Sequence, residues 1–218
     1  MTLKNRFRAI FLLLILMVST LAIIVTLLIG NQHDANTASD YRYNSYNLGL
    51  SSKLNSDLLT KLARQYITTL DKKYFNEYIR VVDMLEGKSP WPNNQTKSYG
   101  DMLHEMGFTD AEFSKLDESN NLSLGLVTLE EQAFAIIEPF IGRNPSQLTE
   151  PEIRQWQEAI ALIYSDEYEV SVSKIKSPVD DFFNMLNART GNSVSELKAS
   201  SERLGMLTLF FSLLIVVI

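Results

Sequence analysis

The sequence predicts an all-α fold: an antiparallel four-helix-bundle sensor domain with two long helices that continue into transmembrane helices. Two apolar stretches, residues 7–30 and 204–218, bracket a largely polar segment. Within that segment, apolar residues recur every three or four positions, which is the repeat of a helix with one buried face. No run of alternating β-branched residues predicts a sheet. A single helical domain over residues 31–203 is therefore expected on one side of a bilayer.

The first apolar stretch has no charged residue after Arg8 and supplies the roughly 20 apolar residues that a membrane-spanning helix needs. Lys4, Arg6 and Arg8 lie at its start, and this basic excess predicts that residues 1–6 are cytoplasmic. A cleaved signal peptide is the alternative, but the apolar run exceeds a usual signal-peptide core and no small-x-small site follows it. We expect an uncleaved anchor in the bacterial inner membrane, with residues 31–203 in the periplasm.

The second apolar stretch, residues 204–218, is shorter than a full membrane crossing by about five residues. A chain that ended inside hydrocarbon would bury a terminal carboxylate, which is costly. We therefore expect this stretch to be the start of a second transmembrane helix, truncated here. A cytoplasmic effector part is expected to follow it and to contact cytoplasmic signalling proteins.

The charge and residue composition exclude several functional classes. The segment between the apolar stretches holds all 26 acidic residues and 17 of the 20 basic ones, a net charge of −9, so nucleic acid is not an expected partner. The chain has no cysteine, which excludes disulfides and thiolate metal sites. His104 and Glu105 begin a zinc-protease motif, but Phe108 stands where the second histidine belongs. We expect no catalytic residue, no metal site and no cofactor.

The first long helix is predicted from Leu54, after which apolar and aromatic residues keep helical spacing as far as Leu85. It is expected to begin near Ala35. Its predicted end is at Glu86 and Gly87, because glycine readily takes the left-handed conformation that closes a helix and two prolines follow.

The second long helix is predicted over the last part of the polar segment, where helical spacing runs from Trp156 to Leu197. Thr149 and Glu152 mark its start as a capping box, with a proline in the first turn. Pro178 lies within the pattern and removes one backbone hydrogen bond. We expect a kink or a division of the helix there.

Shorter helices are predicted between the two long ones. Thr109 and Thr128 each begin a Thr-x-x-Glu signature just before apolar residues at helical spacing. These signatures predict helices over residues 110–118 and 122–141. A turn of helix is also expected over residues 99–106.

A candidate ligand-binding face lies on the first long helix. Arg64, Thr68 and Asp71 share one side of it, because steps of three, four and seven residues return to the same face. Arg64 could hold a ligand carboxylate through two parallel hydrogen bonds. The alternative is that Arg64 forms an exposed ion pair with Asp57 or another acid.

Aromatic residues supply the other candidates, because their rings combine apolar area with a polar edge. The set is dense in the polar segment and comprises Tyr66, Tyr74, Tyr78, Trp91, Tyr99, Trp156, Tyr164 and Tyr168, of which Tyr74, Trp91, Trp156, Tyr164 and Tyr168 are taken as ligand-binding candidates. The alternative is that these rings fill the core. Trp91 and Trp156 are the expected exceptions, because each lies near a predicted helix end.

Three stretches of the outer segment, residues 59–92, 124–134 and 164–190, carry a resemblance to a known family. The first reads LTKLARQYITTLDKKYFNEYIRVVDMLEGKSPWP and the second LGLVTLEEQAF. Together they resemble the extracytoplasmic helical sensor domain of bacterial methyl-accepting chemotaxis proteins, and similar domains precede histidine kinases and diguanylate cyclases. The resemblance implies the helical input domain of a signalling receptor, without a ligand motif that can be transferred.

These observations predict a homodimeric chemoreceptor that detects a small molecule or a periplasmic binding protein. Binding is expected to move the last long helix and to pass a signal through Pro178, Leu197 and Arg203 into the second span. Two alternatives remain open at this point: the input domain of a sensor histidine kinase or diguanylate cyclase, and a structural membrane protein without a ligand.

Overall fold

The computed structural model describes residues 3–217, and these residues are all-helical, without a strand, as the sequence predicted. In chain order the helices are α1 (Leu3–Thr69), α2 (Lys72–Leu85), α3 (Tyr99–Glu105), α4 (Asp110–Ile137), α5 (Glu150–Ile163) and α6 (Asp166–Val217), with short 3-10 turns at Glu138–Phe140 and Pro145–Gln147. The chain forms two compact units: residues 1–44 with 186–218, the terminal unit, and residues 45–185, the central unit.

In the terminal unit, the apolar parts of α1 and α6 expose large side chains such as Phe7, Leu16 and Leu213. By length and composition, α1 and the helical segment that ends at Val217 can each cross a membrane. The Asn31 side-chain amide joins the two helices, because it donates to the Leu197 carbonyl oxygen at 2.7 Å and to a serine hydroxyl of α6 at 2.6 Å. Arg203, one of the predicted relay residues, is exposed.

The prediction of one unbroken helix up to Glu86 is wrong, because the chain turns at Leu70 between α1 and α2. Leu70 has φ +57°, a left-handed conformation that costs a non-glycine residue about 1–2 kcal/mol. Its side chain is fully buried in the core, and its carbonyl oxygen accepts a hydrogen bond from the Gly142 N–H at 2.8 Å. Asp71 then caps α2 by accepting from the Lys73 N–H at 2.9 Å. The helical spacing of apolar residues continues across this turn and therefore conceals it.

The second long helix is also divided, but not at Pro178. The capping box of Thr149 and Glu152 starts α5 as predicted, and α5 ends at Ile163. A new helix, α6, begins at Asp166 and contains Pro178 in its interior. The helix is not divided at the proline, since α6 continues on both sides of it, and the expected bend there stays a prediction.

The two predicted shorter helices are one helix, α4. The capping box at Thr109 starts it, with hydrogen bonds in both directions between Thr109 and Glu112. The signature at Thr128 does not start a helix; the Thr128 hydroxyl instead donates to the Leu124 carbonyl oxygen within the same helix. The predicted turn at residues 99–106 is confirmed as α3.

The start of α5 leads to a prediction about stability at low pH. Hydrogen bonds from Arg143 and from Thr149 lower the pKa of Glu152 to about 2. A carboxyl group with a lowered pKa stabilises the fold above about pH 4.5, its unfolded value, and loses this effect as the pH falls towards about 2. We therefore expect Glu152→Gln to remove part of the loss of thermal stability between pH 4.5 and 2, measured by circular dichroism.

Glu150→Gln is the matched control, because it removes a carboxylate from the same turn and leaves the pair between Arg143 and Glu152 intact. Identical pH profiles for the wild type and Glu152→Gln would contradict the assignment of this acid-sensitive contact.

Candidate functional site

The central unit contains a cavity of about 340 Å³, here called the central cavity. Five helices, α1, α2, α3, α4 and α6, supply its walls. The lining residues are Ser52, Asn55, Ser56, Leu59, Thr60, Tyr78, Leu85, Glu86, Tyr99, Gly100, Leu103, Phe113, Leu116, Asp117, Ser119, Asn120, Ser123, Leu126, Val127, Glu130 and Ile175. Apolar walls with a few polar groups are typical of sites for small molecules.

A buried carboxylate, that of Glu130, lies in the cavity wall and is only 2% exposed. One of its oxygens accepts a hydrogen bond from the Tyr78 hydroxyl at 2.8 Å, and the other accepts from the Tyr168 hydroxyl at 2.7 Å. Burial raises the pKa of Glu130, although the two tyrosine hydroxyls and the nearby Arg64 act in the opposite direction. Burial and the adjacent Glu130 raise the pKa of both tyrosines, so both remain protonated donors.

The position of Glu130 follows from the buried face of α4. Leu126, Glu130, Ala133 and Ile137 are spaced by four, three and four residues and are all buried. Glutamate therefore occupies a core position that the helical pattern assigns to an apolar residue. The sequence prediction missed Glu130, and this break in the apolar pattern is the signal that could have identified it.

Ser119 connects the cavity with α6. Its side chain is only 4% exposed, and its hydroxyl donates to the Ile175 carbonyl oxygen at 2.9 Å. Both residues line the cavity, and Ile175 lies one turn before Pro178. Because Pro178 has no N–H, it removes one of the backbone hydrogen bonds that hold this part of α6. Ser119 therefore contacts the part of α6 that lacks this hydrogen bond.

The outer part of the cavity carries two further carboxylates. Glu86 and Asp117 are exposed lining residues; Glu86 pairs with Lys88, and Asp117 accepts a hydrogen bond from Asn121 at 3.2 Å. Tyr99 supports the wall here, since its hydroxyl donates to a carbonyl oxygen of α1 at 2.9 Å. No lysine, arginine or histidine is among the described residues that line the cavity.

A second, more open groove of about 420 Å³ contains part of the predicted site, and Arg64, Thr68 and Tyr164 line it. Arg64 pairs with Glu169, and its guanidinium lies 4.8 Å from the ring centroid of Tyr164 and 5.1 Å from that of Tyr168. The ion pair anticipated as the alternative for Arg64 is therefore present, with Glu169 as the partner. The groove also holds an ion pair between Asp57 and Lys176 at 3.0 Å.

Five other predicted residues line neither the central cavity nor this groove within the part of the chain that the structure describes. Tyr168 is one of them, and its hydroxyl donates to Glu130 in the cavity wall. The other four are Asp71, Tyr74, Trp91 and Trp156. Asp71 caps α2. Tyr74 packs against the core, with the Lys73 ammonium 4.8 Å from its ring centroid. The indole N–H groups of Trp91 and Trp156 donate to backbone carbonyl oxygens, each at 2.8 Å. All four have structural roles in this conformation, and their ligand-binding role stays a prediction.

Comparison with known proteins gives no match to a protein-family model, to a curated protein or to a solved structure. Across residues 3–217, no group of three or more histidine, cysteine or acidic side chains is arranged to hold a metal ion. Function is therefore inferred from the geometry of the central cavity and the course of the helices around it.

Proposed function

We propose that this chain is the sensing part of a transmembrane signal receptor of the methyl-accepting chemotaxis type, with the central cavity as its input site. The observation that carries the proposal is a cavity of about 340 Å³ with a buried glutamate in its wall. Its volume falls in the range of about 300–1,000 Å³ typical of sites for small molecules. A small molecule, free or delivered by a periplasmic binding protein, is the proposed stimulus.

The proposed architecture is a homodimer in the bacterial inner membrane, with residues 31–203 forming an antiparallel four-helix bundle in the periplasm. Helices α1 and α6 support this architecture, because each contributes residues to the cavity and each belongs to a helical segment that is long and apolar enough to cross a membrane. A histidine kinase or diguanylate cyclase with the same input domain would use the same arrangement, with a different cytoplasmic output.

The proposed mechanism is a shift between two arrangements of α6. A ligand favours one arrangement only by the difference between its affinities for the two. Ser119 transmits this preference to the Ile175 carbonyl oxygen, next to the turn weakened by Pro178. The displacement then passes along α6 through Leu197 and Arg203 towards the second span.

Ser119→Ala is expected to change the ligand-free output. A hydrogen bond of this kind contributes about 1 kcal/mol, so its loss should change the ratio of the two arrangements about fivefold. The measurement is the basal activity of residues 1–218 fused to the cytoplasmic part of a characterised chemoreceptor, at equal protein level. Ser123→Ala is the control, because Ser123 also lines the cavity but its hydroxyl donates only within α4. Equal basal output from both variants would contradict the proposed link.

The same fusion tests the proposed function itself. Compounds are screened for a saturable change in output, and Ser123→Trp, which places an indole in the cavity, is expected to abolish every response found. Asn121→Trp is the control, because Asn121 is exposed and does not line the cavity. A chain that neither responds to nor binds any compound would instead favour the structural membrane protein considered from the sequence.

A further inference from the structure

The charges of the central cavity all have one sign. Glu86, Asp117 and Glu130 line it, and no basic side chain lines it among the described residues, although Lys88 pairs with Glu86 from outside the lining. A cavity of this kind attracts cations and repels anions over the last few ångströms of approach. The negative charge of the periplasmic segment acts in the same direction.

Glu130 is the most buried of the three acids, at 2% exposed, so water screens its ionised form least. The Arg64 guanidinium, which acts on Glu130 electrostatically, is already paired with Glu169, so an ionised Glu130 leaves the three side chains with one negative charge in excess. The Tyr78 and Tyr168 hydroxyls stabilise the carboxylate without neutralising it. They also occupy only two of its roughly four acceptor positions.

A buried carboxylate without a full counter-ion destabilises a folded chain. The raised pKa of Glu130 reflects this cost. A bound cation would offset the cost, because an opposite charge favours the ionised form of a carboxyl group. A cationic ligand would supply the counter-charge that the lining side chains do not provide.

The rest of the cavity wall is largely apolar, which indicates that the uncharged part of such a ligand is apolar as well. Leu59, Leu103, Phe113, Leu116 and Leu126 provide apolar surface around the carboxylate. The volume of about 340 Å³ lies near the lower end of the usual range for ligand sites, which favours a small molecule.

We infer that the central cavity selects a small organic ammonium ion with an apolar or aromatic body, and that the Glu130 carboxylate is its counter-ion. This inference rests on the proposed function, since the cavity is the proposed input site. It goes further by assigning the chemical class of the ligand and the side chain that recognises it.

The test uses the whole chain, residues 1–218, in detergent micelles, with binding measured by isothermal titration calorimetry. The probes are matched triads that share one body: an ammonium compound, its neutral alcohol and its carboxylate, such as 2-phenylethylammonium, 2-phenylethanol and 3-phenylpropionate, with a series of alkyl and aryl bodies. Binding by ammonium members alone is expected. Glu130→Gln should weaken that binding by at least about tenfold, the usual effect of losing a hydrogen bond to a charged group.

Glu131→Gln is the matched control, because Glu131 is the exposed neighbour of Glu130 on α4 and does not line the cavity. It removes the same charge and should leave binding unchanged. The thermal midpoint of Glu130→Gln is measured beside that of the wild type, and a cooperative transition in the variant separates loss of the counter-ion from loss of the fold.

The outcomes distinguish the two proposals. Saturable binding of neutral or anionic probes in preference to ammonium probes would overturn the ligand class and leave the sensor function standing. Ammonium binding that Glu130→Gln does not weaken would overturn the role of Glu130. The absence of binding by every member of every triad would overturn the ligand class, while the compound screen with the fused receptor decides the proposed function separately.

Discussion

Phe182→Ala is expected to lower the free energy of unfolding by about 3–5 kcal/mol, the usual cost of removing a buried phenylalanine side chain. The ring is fully buried in the central unit. It contacts Phe108 edge to face with a centroid distance of 5.1 Å, and Phe183 with a centroid distance of 5.3 Å. A Cβ placed on Gly49 would lie 2.4 Å from the Phe182 ring, so the ring packs directly against the backbone of α1. Its removal leaves a cavity between α1 and α6.

The measurement is a urea titration of the whole chain in micelles, followed by tryptophan fluorescence. Both tryptophans, Trp91 and Trp156, belong to the central unit, so the signal reports that unit. Phe183→Ala is the control, because the adjacent ring is only partly buried and should cost clearly less. Equal losses from the two variants would mean that Phe182 does not anchor the core.

Gly87→Ala is expected to destabilise the central unit by about 2–5 kcal/mol, for two reasons that add. Gly87 has φ +76°, a conformation that costs a residue with a Cβ about 1–2 kcal/mol. The new Cβ would also lie 2.6 Å from the Ser98 backbone nitrogen and 2.9 Å from the Lys97 carbonyl carbon. Relief of such an overlap requires a backbone shift, which typically costs about 1–3 kcal/mol.

Gly142→Ala separates the two contributions. Gly142 also has φ +76°, but a Cβ there would meet nothing within 4 Å. This variant should therefore lose only the conformational part, about 1–2 kcal/mol, in the same urea titration. A loss as large as that of Gly87→Ala would show that contact with residues 97 and 98 is not the cause.

The effect of Gly87→Ala should extend to the central cavity. Ser98 caps α3, and Tyr99 and Leu103 of that helix form part of the cavity wall. A shift of the backbone at Ser98 therefore displaces this wall. We expect the ammonium affinity to fall in Gly87→Ala and to be retained in Gly142→Ala, measured by the same calorimetry.

The sequence prediction did not locate the central cavity, because none of the predicted ligand-binding residues is among the described residues that line it. The shared face of α1 identified Arg64 and Thr68, which the structure places in one groove with Tyr164. The sequence could not identify Glu169 as the partner of Arg64, because 105 positions separate the two residues. Glu130 was missed for a similar reason: its hydrogen-bond donors, Tyr78 and Tyr168, lie 52 and 38 positions away.

The sequence by itself determined the helical class, the capping boxes at Thr109 and Thr149 and the two apolar stretches that lie in α1 and α6. These features depend on residues within a few positions of one another, so local spacing and side-chain chemistry are sufficient to predict them. Only the tertiary structure decided where the long helices break and where the cavity lies. The turn at Leu70 keeps its left-handed conformation because the Gly142 N–H binds its carbonyl oxygen and its side chain is buried in the core. The spacing of apolar residues along one helix cannot predict contacts with such distant residues.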